Sequence, residues 1–511
     1  MHKTNLPISP GRNARMFSRK RASGASLSRR SLIQSGAAIG LSSILPVGAI
    51  GQPRAPLHLH VAEAVKDAVG STPGALSVLC PDGSQKNLEP IARMFTEMTG
   101  VAIHLRIIAS ESLNTQIALE VMAGESQFDV ALPATFGVAD LVASDVLLPL
   151  DAFVFEYEPR AFREGTLYSI GDSFDQKIYG FQADGDAYLM FYHKDMLEDP
   201  DERARYEDRF GTALEVPRSW AELDRQMEWF HRPDDNQWGG VLLRSPEYLG
   251  WEWWVRFHAY GVWPFSEEMV SQINSAEGCA ALEDMIRSAE FLHPSATSSK
   301  FSETWQRFAE GRSYCNIGWG GAQKYYNQAG SAVKDRLSYG PTPGGAIGPG
   351  GAVVPIPYFN WGWSYVISRA SARPRIGYLF SLFASSPEMS TRAVRESGGF
   401  FDPNRPEHYD DPVIQEVYSK PFLDVHKASL RQAIPDLYLV GQAEYFRVLN
   451  EALADALNGD VTPQRALERA SQLWEMITSR AGRAGQIERW RQLRKQYPRA
   501  VSRHLRDKNE A

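Results

Sequence analysis

Short apolar runs alternate with amphipathic stretches along most of the chain from residue 75 onward. Ala75 to Cys80 (ALSVLC) is largely apolar, as a strand buried on both faces would be, and it stops at the polar turn Pro81-Asp82-Gly83-Ser84. Ile91, Met94, Phe95 and Met98 then recur at helical spacing within Leu88 to Met98, and Gly100 closes that helix. Val101 to Ile108 predicts a second strand, Leu113 to Met122 a second helix and Phe128 to Leu132 a third strand. Such alternation with short links predicts an α/β fold with a parallel sheet covered on both faces. Further helices are expected over Val61 to Val69, Glu277 to Phe291, Arg375 to Phe383 and Tyr445 to Leu457. One stretch differs in kind: a helix ending at Gly311, an apolar strand Tyr314 to Ile317, and Trp319 flanked by Gly318 and Gly320 at the strand's carboxyl edge. Open α/β sheets bind ligands at that edge, so Trp319 is a candidate to lie flat against a ligand; packing under a loop is the plain alternative.

Composition narrows the field. The 511 residues fit two or three domains, and 43% hydrophobic with 23% charged residues is ordinary for a soluble protein. A net charge of -7 gives no basic face for nucleic acid, which is excluded as an expected partner. The first thirty residues carry seven arginines and lysines from Arg12 to Arg30 without an acidic residue between them, and Ser28-Arg29-Arg30-Ser31-Leu32-Ile33 looks like a twin-arginine export signal. The Gly/Ala/Ser-rich run behind it is too short and polar to span a bilayer, which needs about 20 apolar residues. Export to the periplasm is therefore expected, with cleavage after Ala49. Cys80, Cys279 and Cys315 allow at most one disulfide, and no cysteine or histidine spacing suggests a metal, so no metal or cofactor is expected.

Motif order then carries a resemblance. The strand, polar loop and helix before Thr99-Gly100, the segment AGESQFDVAL, Leu147 to Asp151, Lys177 to Asp186 followed by Leu189 to Leu197, and Val216-Pro217-Arg218-Ser219-Trp220-Ala221-Glu222-Leu223 occur in that sequence. EGRSYCNIGWGG, Asn360 to Ser368, Glu396 to Pro403, and Gly459 with Val461 to Leu467 complete it. This order resembles the bacterial extracellular solute-binding proteins of family 1 over roughly residues 75 to 480. The resemblance implies a periplasmic-binding-protein-like α/β fold of two lobes with a central cleft and three crossover segments, near residues 184, 338 and 400. It implies an export signal over 1–50, an extension over 51–74, a first lobe of 75–184 and 339–399, and a second lobe of 185–338 and 400–505. It also implies a monomeric receptor without enzymatic activity that closes on a sugar or polyol and hands it to the permease of an ABC importer.

A sugar site needs flat aromatic faces for ring C–H surfaces and short polar side chains for hydroxyls. Thirteen tryptophans supply the first. In the family the tryptophan of the G-x-W segment stacks on the sugar, and Trp319 takes that role by resemblance. Trp254, in the WEWW run from Trp251, and Trp361 with Trp363, which would share one face of a strand, are further aromatic candidates; three tryptophans in four residues build a core more often than a site. Polar candidates lie in loops after predicted strands: Asp82, Ser84, Ser110, Glu111, Thr135, Asp184 and Asp186, against the alternative of helix caps or solvated loop. Phe400, Phe401 and Arg405 sit near the last crossover. Two other classes stay open: a glycoside-acting enzyme with paired cleft carboxylates, and a ferric-ion receptor using Tyr325-Tyr326.

Overall fold

The computed structural model describes residues 56–124, 127–346 and 352–506. The export signal expected over 1–50 and residues 347–351 of the glycine-rich loop lie outside the described residues. Two five-stranded sheets organise the rest. The first has the strand order Ala102–Ile108, Ala75–Pro81, Val130–Ala131, Ser364–Ile367, Gly180–Gln182. Its first three strands are parallel, as their strand-helix alternation predicts, but Ser364–Ile367 runs antiparallel to both neighbours. The sheet is mixed because that strand is contributed by a much later stretch of chain.

The second sheet is built on Ala187–His193, all seven residues of which are buried. This strand is antiparallel to Leu337–Pro341 on one side and Ser313–Gly318 on the other, and its first residues also pair with Tyr358–Phe359. Trp238–Val241 completes the sheet, parallel to Ser313–Gly318.

The chain passes between the sheets three times. Residues 183–186 join Gly180–Gln182 to Ala187–His193. The return does not fall near 338 as expected: Leu337–Pro341 is a strand at the edge of the second sheet, paired with Ala187–His193, and residues 360–363 make the passage into Ser364–Ile367. Residues 395–405 form the third, leaving the helix Pro387–Val394, which packs on Gln85–Thr99, for the helices Pro412–Tyr418 and Lys420–Leu430; the latter rests on the second sheet.

Residues 57–69 are no loose extension. The helix Leu57–Val69 buries Val61, Ala62 and Val65 against the Pro374–Ala384 helix, and the His58 ring meets Phe383 edge-on. Cys80 and Cys315 lie in strands of different sheets, and burial pushes the Cys80 thiol up to about 12. Among the described residues no helix is long and apolar enough to cross a membrane.

The helix Leu249–Ala259 is buried on every side, Trp253 and Trp254 included, which requires its charged members to be neutralised in place. Glu252 accepts from Arg244 Nε at 2.8 Å and Nη2 at 2.7 Å and from Arg256 Nε at 2.8 Å, while Arg256 also clasps Asp224. Burial alone would raise the Glu252 pKa, but the two guanidiniums outweigh it and lower it. Glu252→Gln leaves Arg244 without a counter-charge and should cost about 3–5 kcal/mol of stability. Urea unfolding of the variant measures this, and a loss below about 1 kcal/mol, the range of a surface pair, would contradict it.

Candidate functional site

A cavity opens where the passages between the sheets converge, lined by Phe301, Trp305, Trp319, Trp361, Trp363 and Phe400 with Ser110, Asp186 and Gly321. Each wall has a local cause. Trp319 follows the buried strand Ser313–Gly318 and precedes the helix Gly320–Tyr326. Its indole N–H donates to Asn360 Oδ1 at 2.9 Å, which fixes the ring, and the ring packs against Tyr188, Trp251 and Trp361. Phe301 and Trp305 share one face of the helix Phe301–Ala309, whose third aromatic, Phe308, is core.

Trp361 and Trp363 both line the cavity, though not by strand alternation, since the strand begins only at Ser364. Trp361 has φ 73° and Gly362 φ 60°, a left-handed turn in which a non-glycine residue costs about 1–3 kcal/mol. Neighbours hold it there. The Thr135 N–H donates to the Trp361 and Gly362 carbonyls at 3.0 and 3.1 Å, its hydroxyl also bonds Trp361 O, and the Gly362 N–H donates to Asp186 Oδ2 at 3.1 Å.

Behind the aromatic wall, carboxylate oxygens of Asp184, Asp186 and Asp402 lie within 4.8 Å of one another, all buried. Asp184 Oδ1 accepts the N–H groups of Gly185 and Asp402, both at 2.6 Å. Asp402 accepts from the Gly320 N–H at 2.7 Å and the Tyr418 hydroxyl at 2.8 Å. One helical turn beyond Gly320, Lys324 reaches into the same region and donates to the carbonyls of Gly399 and Phe401 at 2.8 Å and Glu396 at 3.1 Å. Burial raises all three carboxyl pKa values, with Asp402 reinforcing the rise at Asp184, and Asp184 and Asp402 reinforcing it at Asp186; at Asp402 itself Lys324 works against it. Burial lowers Lys324 to about 8 although Asp402 and Asp184 favour its charge. Among the described residues this trio is the group of side chains that could hold a cation.

Of the sequence candidates, Trp319, Trp361, Trp363, Ser110 and Asp186 meet at the cavity. Asp184 belongs to the carboxyl trio behind it. Asp82 is exposed and accepts from Gln85 at 3.2 Å, and Ser110 Oγ donates to the Asp82 carbonyl at 3.3 Å. Glu111 accepts from Tyr248 at 3.3 Å, joining a first-sheet loop to the helix that starts at Leu249. Two candidates are corrected. Trp254 is fully buried, its ring against His258 and Phe446, and does not line the cavity. Phe401 is 1% exposed and packs near Tyr365, while Phe400, the neighbour facing the other way, lines the cavity. Tyr326 is buried between Phe191 and Phe308, its ring at 76° to that of Tyr325, so the tyrosine pair does not converge on one point. Phe301 and Trp305 were missed; their signal was the aromatic spacing 301, 305, 308, which reads equally as a core stripe.

The profile of the bacterial extracellular solute-binding protein family matches residues 91–419, and the chain belongs to that family. Solved structures share the fold. The maltose-bound MalE3 protein of T. maritima superposes with a TM-score of 0.67 at 20% identity, over 79% of this chain and 100% of that one. An ABC transporter solute-binding protein of Agrobacterium radiobacter K84, in complex with ribitol, gives 0.67 at 16% identity over 79% and 98%. One from Agrobacterium vitis S4, with bound D-mannitol, gives 0.65 at 17% over 80% and 99%. The fold is thus that of the two-lobed binding proteins.

Lys324→Met removes the one ammonium facing three buried carboxyls and should cost about 3–5 kcal/mol at neutral pH. Carboxyls whose folded pKa is raised favour the folded state below their unfolded value, and that benefit is lost as pH rises through the folded value. The deficit of the variant should therefore narrow from neutral to mildly acidic pH, as the trio takes up protons. Urea unfolding at the two pH values decides, and an equal deficit at both would assign the loss to the three carbonyl hydrogen bonds instead.

Proposed function

We propose that the chain is the exported receptor of an ABC importer, that it captures a sugar or polyol in the aromatic cavity, and that it releases the ligand unchanged to the permease. The observation that carries this is the cavity wall. It offers indole faces to ligand C–H surfaces, and the buried indole N–H groups of Trp305 and Trp361 have no acceptor among the described residues, so ligand hydroxyl oxygens can take them. Maltose, ribitol and D-mannitol in proteins of the same fold point to the same ligand class.

In this reading the two sheets with their helices are two lobes, and the passages at 183–186, 360–363 and 395–405 are the hinge about which they close. The lobes then comprise about residues 57–182 with 364–394, and about 187–359 with 406–505. The amino-terminal twin-arginine segment directs export to the periplasm, and the receptor works as a monomer.

Isothermal titration against a panel of mono- and disaccharides and polyols tests the reading, with a melting shift as a second readout. Binding without turnover is expected; no binding by any member, or hydrolysis of a glycoside, would reject it. Trp319→Ala should cost about 2 kcal/mol of binding, roughly 30-fold. Trp254→Phe, in the core, should lower the melting temperature and leave affinity within about twofold.

A further inference from the structure

The cavity is a box and not a platform. Trp319 meets Trp361 at 73°, Trp361 meets Trp363 at 68° and Phe301 at 74°, and Trp305 meets Phe400 at 85°. A pyranose stacked between two parallel rings needs one or two faces in register, whereas near-perpendicular rings direct several π faces and edges at one compact centre. Each aromatic face is electron-rich, and a cation within about 6 Å of it is attracted, tryptophan being the strongest partner.

The polar furniture is correspondingly sparse. The lining side chains contribute the unpartnered indole N–H groups of Trp305 and Trp361, one hydroxyl, Ser110, already donating to Asp82 O, and one carboxyl, Asp186. A neutral polyhydroxylated ligand wholly inside this box would leave most of its hydroxyls unpaired. An independent feature points the same way. Asp186 is one of three carboxyls whose oxygens lie within 4.8 Å, and the amine reaching that group is Lys324, whose hydrogen bonds go to three backbone carbonyls. Lys324 supplies one positive charge to three acidic groups and protons must neutralise the rest, so a cation entering the cavity beside Asp186 can take the place of a proton there.

We propose that the buried end of the ligand is cationic: an amino or N-methylamino group on a sugar or polyol, seated in the aromatic box against Asp186, with the hydroxylated remainder directed to the rim at Glu111 and Asp82. This specificity rests on the carbohydrate reading of the cavity and sharpens it. Trp319, Trp361 and Trp363 supply the faces, and Asp186, held by the Gly362 N–H, supplies the counter-charge.

Matched pairs test it by isothermal titration: D-sorbitol against N-methyl-D-glucamine, and D-glucose against D-glucosamine, with N-acetyl-D-glucosamine as the charge-neutralised control and choline as a cation without a polyol. The amine of each pair should bind about 10-fold or more tighter than its neutral partner. N-acetylation should remove the gain, a comparison that needs no altered protein. Asp186→Asn should bring the amine-to-neutral ratio close to unity. Neutral members binding as tightly as or tighter than the amines would overturn the proposal while leaving carbohydrate capture intact. Binding of choline with neither member of either pair would reject the carbohydrate reading and keep the cationic subsite. Silence from every compound would overturn both.

Discussion

The structure turns on a charge problem solved in the interior. Asp184, Asp186 and Asp402 come from two different passages between the sheets, and each uses its carboxylate to hold backbone from another part of the chain. Asp184 ties the first passage to the third, Asp186 ties the first to the second, and Asp402 ties the third to the start of the Gly320–Tyr326 helix. Glycine is required where these strands come closest: a Cβ on Gly185 would sit 2.1 Å from Pro403 O, and one on Gly320 2.4 Å from Asp402 Oδ1. Three like groups at this spacing cannot all ionise, so protons and Lys324 share the task of neutralising them. The knot thus ties all three passages between the sheets to one another.

The aromatic wall adjoining the knot is self-supporting. Trp251 stacks on Tyr248 with ring centroids 5.2 Å apart and meets both Trp319 and Trp361 edge-on, so a second layer of rings braces the first. Edge-to-face pairs are worth about 0.5–1.5 kcal/mol each beyond the area they bury. That helps to offset the left-handed turn at Trp361. A site assembled in advance loses less conformational freedom when a ligand enters, which is where binding free energy is commonly forfeited.

Much of this was legible in the sequence. The first strands, the helices between them, and the position of Trp319 at the end of its strand follow from local periodicity, which depends on near neighbours only. What escaped was set by distant pairing. Leu337–Pro341 runs directly into the proline- and glycine-rich segment 341–345, a feature shared by a passage and by an edge strand, and its distant partner Ala187–His193 decides between them. The left-handed turn before Ser364 is unpredictable from a tryptophan, which rarely adopts it. Trp254 was misplaced because the helix that carries the WEWW run is buried on every face, so periodicity cannot say which ring reaches the cavity.

The ring cluster has an optical consequence. Trp251, Trp319, Trp361 and Trp363 form a chain of edge-to-face contacts with centroids 5.2 to 6.1 Å apart, close enough for their excited states to couple. Trp305 stands in the same wall with an unoccupied N–H. An occupant therefore changes the surroundings of several coupled indoles at once, and the protein carries a chromophore array whose near-ultraviolet signature reports the state of the cleft without an added label.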